Sequence, residues 1–250
     1  NWVFLEFCVR TLVAACMSSK QEEIKKDGTT KESIKTPRQK IAFIPGTGNM
    51  GTKLARVYAK LGHEILISSR DKAKAQRVAS EIAADIPNSK ITGGLNAEVA
   101  EQADIVIWGI QGTIPERHKE LAAIGKYLDG KIVVDITNIL YFYDEKAWGQ
   151  VSSVEQNRDV VKTAKWLTGY KSIFAQALDD PAPGGCSLLS SPMLGVPRDV
   201  QVCGDDEAAK KLFISLVNET GFRGVDCGKL KHARIIELLG PSFIRLMQTN

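Results

Sequence analysis

At 250 residues and 27.4 kDa, the chain has room for one large α/β domain or two small ones. Hydrophobic residues make up 44% and charged residues 25%, a globular balance that excludes collagenous, coiled-coil and wholly disordered readings. Of the net charge of +4, most sits in residues 1–40, which hold eight Lys/Arg against five Asp/Glu. The remainder is almost neutral, so no nucleic-acid partner is expected.

The first stretch, NWVFLEFCVRTLVAAC, is apolar but broken by Glu6 and Arg10, unlike the uninterrupted core of a secretory signal. No apolar run approaches the roughly 18–20 residues that span a bilayer. From Met17 to Lys40 the chain is polar and aperiodic, without the apolar surface to offset the entropy of ordering. Residues 1–39 therefore read as a disordered or non-native leader, and 40–250 as a single domain. A cytoplasmic location is expected, with organelle targeting by the leader left open. Five scattered cysteines (Cys8, Cys16, Cys186, Cys203, Cys227) form no CxxC pair, and there are three histidines. Neither a disulfide framework nor a metal site is expected.

From Lys40 onward strand and helix signals alternate. IAFIPG (41–46) reads as a buried parallel strand. A helix over 50–62 places Leu54, Val57, Tyr58 and Leu61 on one face and stops at Gly62. HEILISS (63–69) is a second strand. Asp71 caps a helix over 71–86. KITGG (90–94) is a weak strand, and Asn96 is expected to cap a short helix over 96–103. DIVIWGI (104–110) is a strand, 115–128 a helix behind Pro115, and KIVVDITN (131–138) a fifth strand. The second half is less regular. It predicts a helix around 152–167, a strand near 171–177, a long loop over 179–198, strand 199–204, helix 205–221, strand 222–228 and a last helix from 230. Such alternation requires right-handed crossovers and a mostly parallel, doubly wound sheet.

Gly46-Thr47-Gly48-Asn49-Met50-Gly51 is a GxGxxG loop between the first strand and helix. Gly46 allows the tight turn, Gly48 a close approach of pyrophosphate, and Gly51 close helix–strand packing. The second strand ends Ser68-Ser69-Arg70, without the acid that accepts from the ribose hydroxyls of NAD. Arg70 and Ser69, with Lys74 one turn along, suit a 2′-phosphate, so the dinucleotide reads as NADP(H). None of the three histidines (His63, His118, His232) reads as a catalytic group. Hydride transfer to a planar acceptor needs alignment rather than a side-chain acid.

The stretches IAFIPGTGNMGTKLARVYAKLGHEILISSRDKAKA, IVVDITN, DVQVCGDDEAAKKL and GFRGVDCGKLKHARIIELL together resemble the NADP-dependent coenzyme F420 (deazaflavin) oxidoreductase family, over about residues 40–250. The resemblance implies an NAD(P)-binding Rossmann-like domain whose nicotinamide exchanges hydride with F420 or a flavin, a small-molecule redox acceptor. It further implies that Gly46, Thr47, Gly48, Asn49, Met50 and Gly51 hold the pyrophosphate and that Ser69, Arg70 and Lys74 hold the 2′-phosphate. Ile110, Gln111 and Asn138 would lie beside the ribose and the nicotinamide. Ser172 to Ala177 stand where the family carries a VVKAFN-like strand, and the lysine and asparagine of that strand are missing. Because strands continue past residue 200, no all-helical second domain completes the site. The acceptor must bind on this domain or at a subunit interface, which leaves a homodimer open. Two other readings stand beside a reductase: a non-catalytic NADP(H) sensor, and a subunit feeding a separate redox partner.

Overall fold

Six short runs form one parallel sheet: β1 (Lys40–Ile44), β2 (Glu64–Ser69), β3 (Lys90–Leu95), β4 (Ile105–Trp108), β5 (Ile132–Asp135) and β6 (Lys165–Thr168). Their order is β3-β2-β1-β4-β5-β6. In this computed structural model the described residues are 36–138, 150–178 and 198–248, with side chains described up to 240. The expectations for 1–35 and for the loop over 179–197, with Cys8, Cys16 and Cys186, lie outside them. The doubly wound arrangement follows from burial on both faces of the strands. Ile41 and Phe43 of β1 enter one core with Leu54, Tyr58, Ile65 and Ile67; Ala42 and Ile44 enter the other with Leu66, Val106 and Trp108. Helices α1 (Asn49–Lys60) and α2 (Lys72–Asp85) cover the first face. Helices α3 (Asn96–Gln102), α4 (Ile114–Ile124) and α5 (Ser153–Val160) cover the second. Each Ile or Leu buried this way contributes about 1.5–3 kcal/mol relative to exposure.

The chain then forms β7 (Asp199–Val202), α6 (Glu207–Glu219) and β8 (Arg223–Asp226), a separate two-stranded parallel pair. A bridge between Leu167 and Gly204 ties the pair to β6. Helix α7 (Ala233–Gln248) follows. Thr36 is buried and donates its N–H to Glu219 on α6 at 2.6 Å, and the Gln39 N–H donates to His63 at 3.2 Å. Residues 36–39, grouped with the leader by sequence, are thus bonded to the body.

Three local expectations change. The strand expected near 171–177 lies at Lys165–Thr168, in register with β5 from Ile132↔Lys165 to Asp135↔Thr168. It cannot run on, because Tyr170 takes a left-handed φ of 53° and residues 175–178 form a 3-10 turn. The helix expected over 152–167 is correspondingly short: Ser152 caps it, and Val161 leaves helical geometry. Asn96 is the first residue of α3 rather than its cap; Glu98 reaches back to the Leu95 N–H at 3.0 Å.

Candidate functional site

In an open parallel sheet, ligands bind beyond the carboxyl ends of the strands where the strand order reverses. Here that point lies between β1 and β4. The glycine loop follows β1, Ser69 ends β2, Ile110 and Gln111 follow β4, and Asn138 follows β5. All the residues singled out by sequence therefore gather along one edge of the sheet.

The loop glycines separate by role. Gly46 is buried, and its N–H donates to Ser68 O at 2.9 Å, closing the turn. A Cβ on Gly51 would fall 2.6 Å from Pro45 O, so the helix–loop approach excludes any side chain. Gly48 is different. Its φ of −87° and ψ of 166° are open to any residue, and a Cβ there would meet nothing within 4 Å. Nothing in the fold requires glycine at this exposed position. A ligand lying flat against the backbone would.

Helix α1 supports the same conclusion. The first N–H groups of a helix lack intrahelical partners and attract anions. Side-chain oxygens serve those groups in the neighbouring helices: Asp71 on α2, Glu116 and Thr113 at the start of α4, Ser152 with Glu155 on α5, and Asp206 on α6. Helix α1 has no side-chain cap and no acidic residue in its first turn. Thr47 and Met50 are half-buried and Asn49 is exposed around this bare end.

At the end of β2, Ser69 is buried and accepts from the Asp71 N–H at 3.1 Å. Arg70 and Lys74 are exposed and form no ion pair among the described residues. The carboxyl of Glu116 sits below its ordinary range, chiefly through hydrogen bonds from Thr113, with a lesser pull from Arg70. Asp71, the nearest acid, is occupied as a helix cap. An uncapped helix, an open glycine and two uncommitted cations fit a dinucleotide carrying an extra phosphate.

The other half of the edge is closed in. Ile110 is half-buried against the second core, and Gln111 is exposed. Beside Asn138 lies a cleft of about 220 Å³, lined by Met50, Ile136, Asn138, Lys171, Phe174 and Gly240. Phe174 reaches it from the turn after β6. Gln176, in the same stretch of Ser172 to Ala177, is exposed. Tyr170, beside the cleft, bonds Tyr58 through the two hydroxyls at 2.8 Å. Burial pushes the Tyr170 phenol up to about 12, so it stays protonated.

Below the cleft, sequence reasoning missed a buried charged group. Asp135 accepts from Asn157 Nδ2 at 2.6 Å, from the Thr137 N–H and Oγ1 at 2.7 Å each, and from Lys171 Nζ at 3.1 Å. Burial alone would raise its carboxyl pKa; Lys171, Arg117 and Thr137 outweigh that and hold it below the ordinary carboxylate range. The signal available in sequence was one carboxylate closing the apolar run IVVD. Among the described residues, no three His, Cys, Asp or Glu come together as a metal site.

Residues 40–139 match the family described as NADP oxidoreductase, coenzyme F420-dependent. The F420-dependent NADP reductase of Methanocaldococcus jannaschii is 34% identical, across 83% of this chain and 92% of that protein. The chain belongs to the F420-dependent NADP oxidoreductase family. A second such reductase, from Methanothermobacter marburgensis, is 28% identical across 83% of this chain and 92% of its own length. Among solved structures, a putative F420-dependent NADP reductase from Arthrobacter sp. FB24 superposes with a TM-score of 0.67 at 29% identity. That match covers 84% of this chain and 94% of the other. The family's Rossmann-like architecture is the one described above. Among the described residues, no helix is long and apolar enough to cross a membrane.

Proposed function

We propose that this family member is an NADP(H)-dependent oxidoreductase that moves a hydride between the nicotinamide and the deazaflavin coenzyme F420. Residues 40–250 would act as one NADP-binding unit. The observation that carries the reading is Gly48, a glycine that neither backbone geometry nor packing requires, at the uncapped N-terminus of α1.

The residues divide the work. The Gly46–Gly51 loop and the first turn of α1 would hold the pyrophosphate through backbone N–H groups. Ser69, Arg70 and Lys74 would hold the 2′-phosphate through charge-assisted hydrogen bonds. The bound dinucleotide supplies the hydride, and the chain supplies alignment. Met50, Ile136 and Phe174 would exclude water from the reacting faces. Among the described residues the two ionisable side chains lining the cleft are both engaged: Lys171 is buried against Asp135 and Glu237, and the Tyr170 phenol stays protonated and bonded to Tyr58, so neither competes with hydride movement. That suits a reaction driven by proximity and orientation.

The test is absorbance-monitored reduction of F420 by NADPH and by NADH, in the wild type and in Arg70→Ala. NADPH is expected to bind about 10–150-fold more tightly than NADH, the value of one good charge-assisted contact. Arg70→Ala should remove most of that preference while NADH binding stays nearly unchanged. Equal affinities in the wild type would reject the assignment. Turnover with riboflavin but not F420 would reject the acceptor.

A further inference from the structure

Behind the cleft, and reaching its wall through Lys171, lies a group of ions that hydride transfer does not require. Arg117 and Asp135 are fully buried, and Lys171 and Glu237 nearly so. Lys171 Nζ lies 3.1 Å from Asp135 and 2.9 Å from Glu237. A buried ion group of this kind is rarely more stabilising than apolar residues of the same volume, so stability alone does not explain it.

Its contacts do. Arg117 donates to the Ile110 carbonyl at 3.2 Å and to Thr137 Oγ1 at 2.9 Å. Lys171 Nζ donates to the Thr137 carbonyl. The group thus grips the two turns, after β4 and after β5, that flank the cleft. Glu237 in turn accepts from the Ser153 N–H at 2.7 Å, which locks α5 and α7 behind them.

The chain of contacts ends at one side chain. Asn138 donates from Nδ2 to the Lys171 carbonyl at 2.6 Å. A carbonyl only accepts, so the amide nitrogen must face it and Oδ1 must face away. Gly240 of α7 seals that side, since a Cβ there would fall 2.7 Å from the Lys171 carbonyl and 3.1 Å from Asn138 Nδ2. The oxygen is buried, has no hydrogen-bond partner among the described residues, and belongs to a residue lining the cleft. An unmatched buried acceptor at a ligand site calls for a donor on the ligand.

We propose that Asn138 Oδ1 accepts a hydrogen bond from the carboxamide N–H of the nicotinamide, and that Arg117, Asp135, Lys171 and Glu237 are positioning residues that fix its direction. The inference rests on the NADP reading above. It makes the site selective for an amide rather than for a pyridine ring in general.

The experiment measures equilibrium binding, by calorimetry on the full chain, of oxidised NADP and of its 3-acetylpyridine analogue. The analogue carries a methyl ketone and no N–H donor. The wild type should bind NADP about tenfold more tightly, the value of one hydrogen bond to an otherwise unmatched acceptor. Asn138→Ala should bind both alike. Glu237→Gln and Arg117→Lys, which leave Asn138 in place, should each reduce the ratio to a few-fold; a purely structural role would lower both affinities together and leave the ratio intact. Equal wild-type affinities, or a tenfold ratio that survives in Asn138→Ala, would overturn the Asn138 assignment. A ratio unchanged in both Glu237→Gln and Arg117→Lys would overturn the positioning role. A wild type that binds neither dinucleotide overturns the nucleotide reading itself, a result distinct from equal binding.

Discussion

The two halves of the crevice are built on opposite plans. On the β1–β2 side the structure is left incomplete: helix α1 is uncapped, Gly48 faces open space, and Arg70 and Lys74 form no ion pair among the described residues. On the β5–β6 side the charges are paired internally, with Asp135 alone accepting from three residues, and the buried polar atoms left open are single atoms of otherwise bonded groups, Asn138 Oδ1 among them. The difference tracks what each half must do. An anion brings its own charge, so its site must withhold partners until it arrives. A ring that exchanges hydride must meet its acceptor at a set distance, so its floor must be fixed beforehand.

The comparison can be broken hardest at Lys171. Lys171→Met removes the buried cation shared by Asp135 and Glu237, leaving Asp135 only Arg117 at 4.0 Å, and should cost about 3–5 kcal/mol in urea denaturation. The same variant sharpens the pH dependence. Asp135 is depressed in the folded state, so its share of wild-type stability is present above the unfolded carboxylate pKa and is lost as pH falls through the folded value. In Lys171→Met that acid-side loss should begin at higher pH.

The glycine loop gives a paired test of the open half. Gly51→Ala drives a Cβ into Pro45 O and should destabilise by about 1–3 kcal/mol, as overpacking does. Gly48→Ala meets no atom and should shift stability by no more than about 0.5 kcal/mol. It should nevertheless weaken NADP binding several-fold. If Gly48→Ala bound NADP like the wild type, the open half would lose its explanation.

The smallest effect is expected at His63, on the opposite edge of the sheet. Burial lowers its pKa, and Nδ1 accepts from the Gln39 N–H, an arrangement that protonation abolishes. The unfolded chain therefore binds more protons, so His63 contributes stability above about pH 6.5 that is lost as pH falls. Melting curves from pH 7.5 to 5.5 should drop by a few degrees at most, and by less in His63→Gln. NADP affinity should not change between the two.

The open half was legible in sequence and the closed half was not, for one physical reason. The residues proposed to hold the nucleotide lie close together in the chain, Gly46, Gly48 and Gly51 on one turn and Ser69 and Arg70 side by side at the end of β2, so they carry a pattern that can be read. The ion group draws Arg117, Asp135, Lys171 and Glu237 from four separate elements, and isolated charges have no period. The second-half error has a related origin. KWLT is too short and polar to announce a strand; β6 exists because β5 offers it an edge. The residues beyond it, SIFAQA, look more strand-like but follow the left-handed turn at Tyr170. The family's missing lysine and asparagine were therefore sought in a strand that lies elsewhere.

Because Glu237 and Gly240 complete the floor while the glycine loop stands near residue 46, the two halves mature at different times on the ribosome. The dinucleotide loops are translated almost 200 residues before the helix that closes the hydride floor. A nascent chain stopped before α7 would carry the anion-binding half without the alignment that makes it a reductase. Synthesis itself then orders the two halves: the loops proposed to hold the dinucleotide emerge first, and the helix that completes the packing behind the cleft comes last.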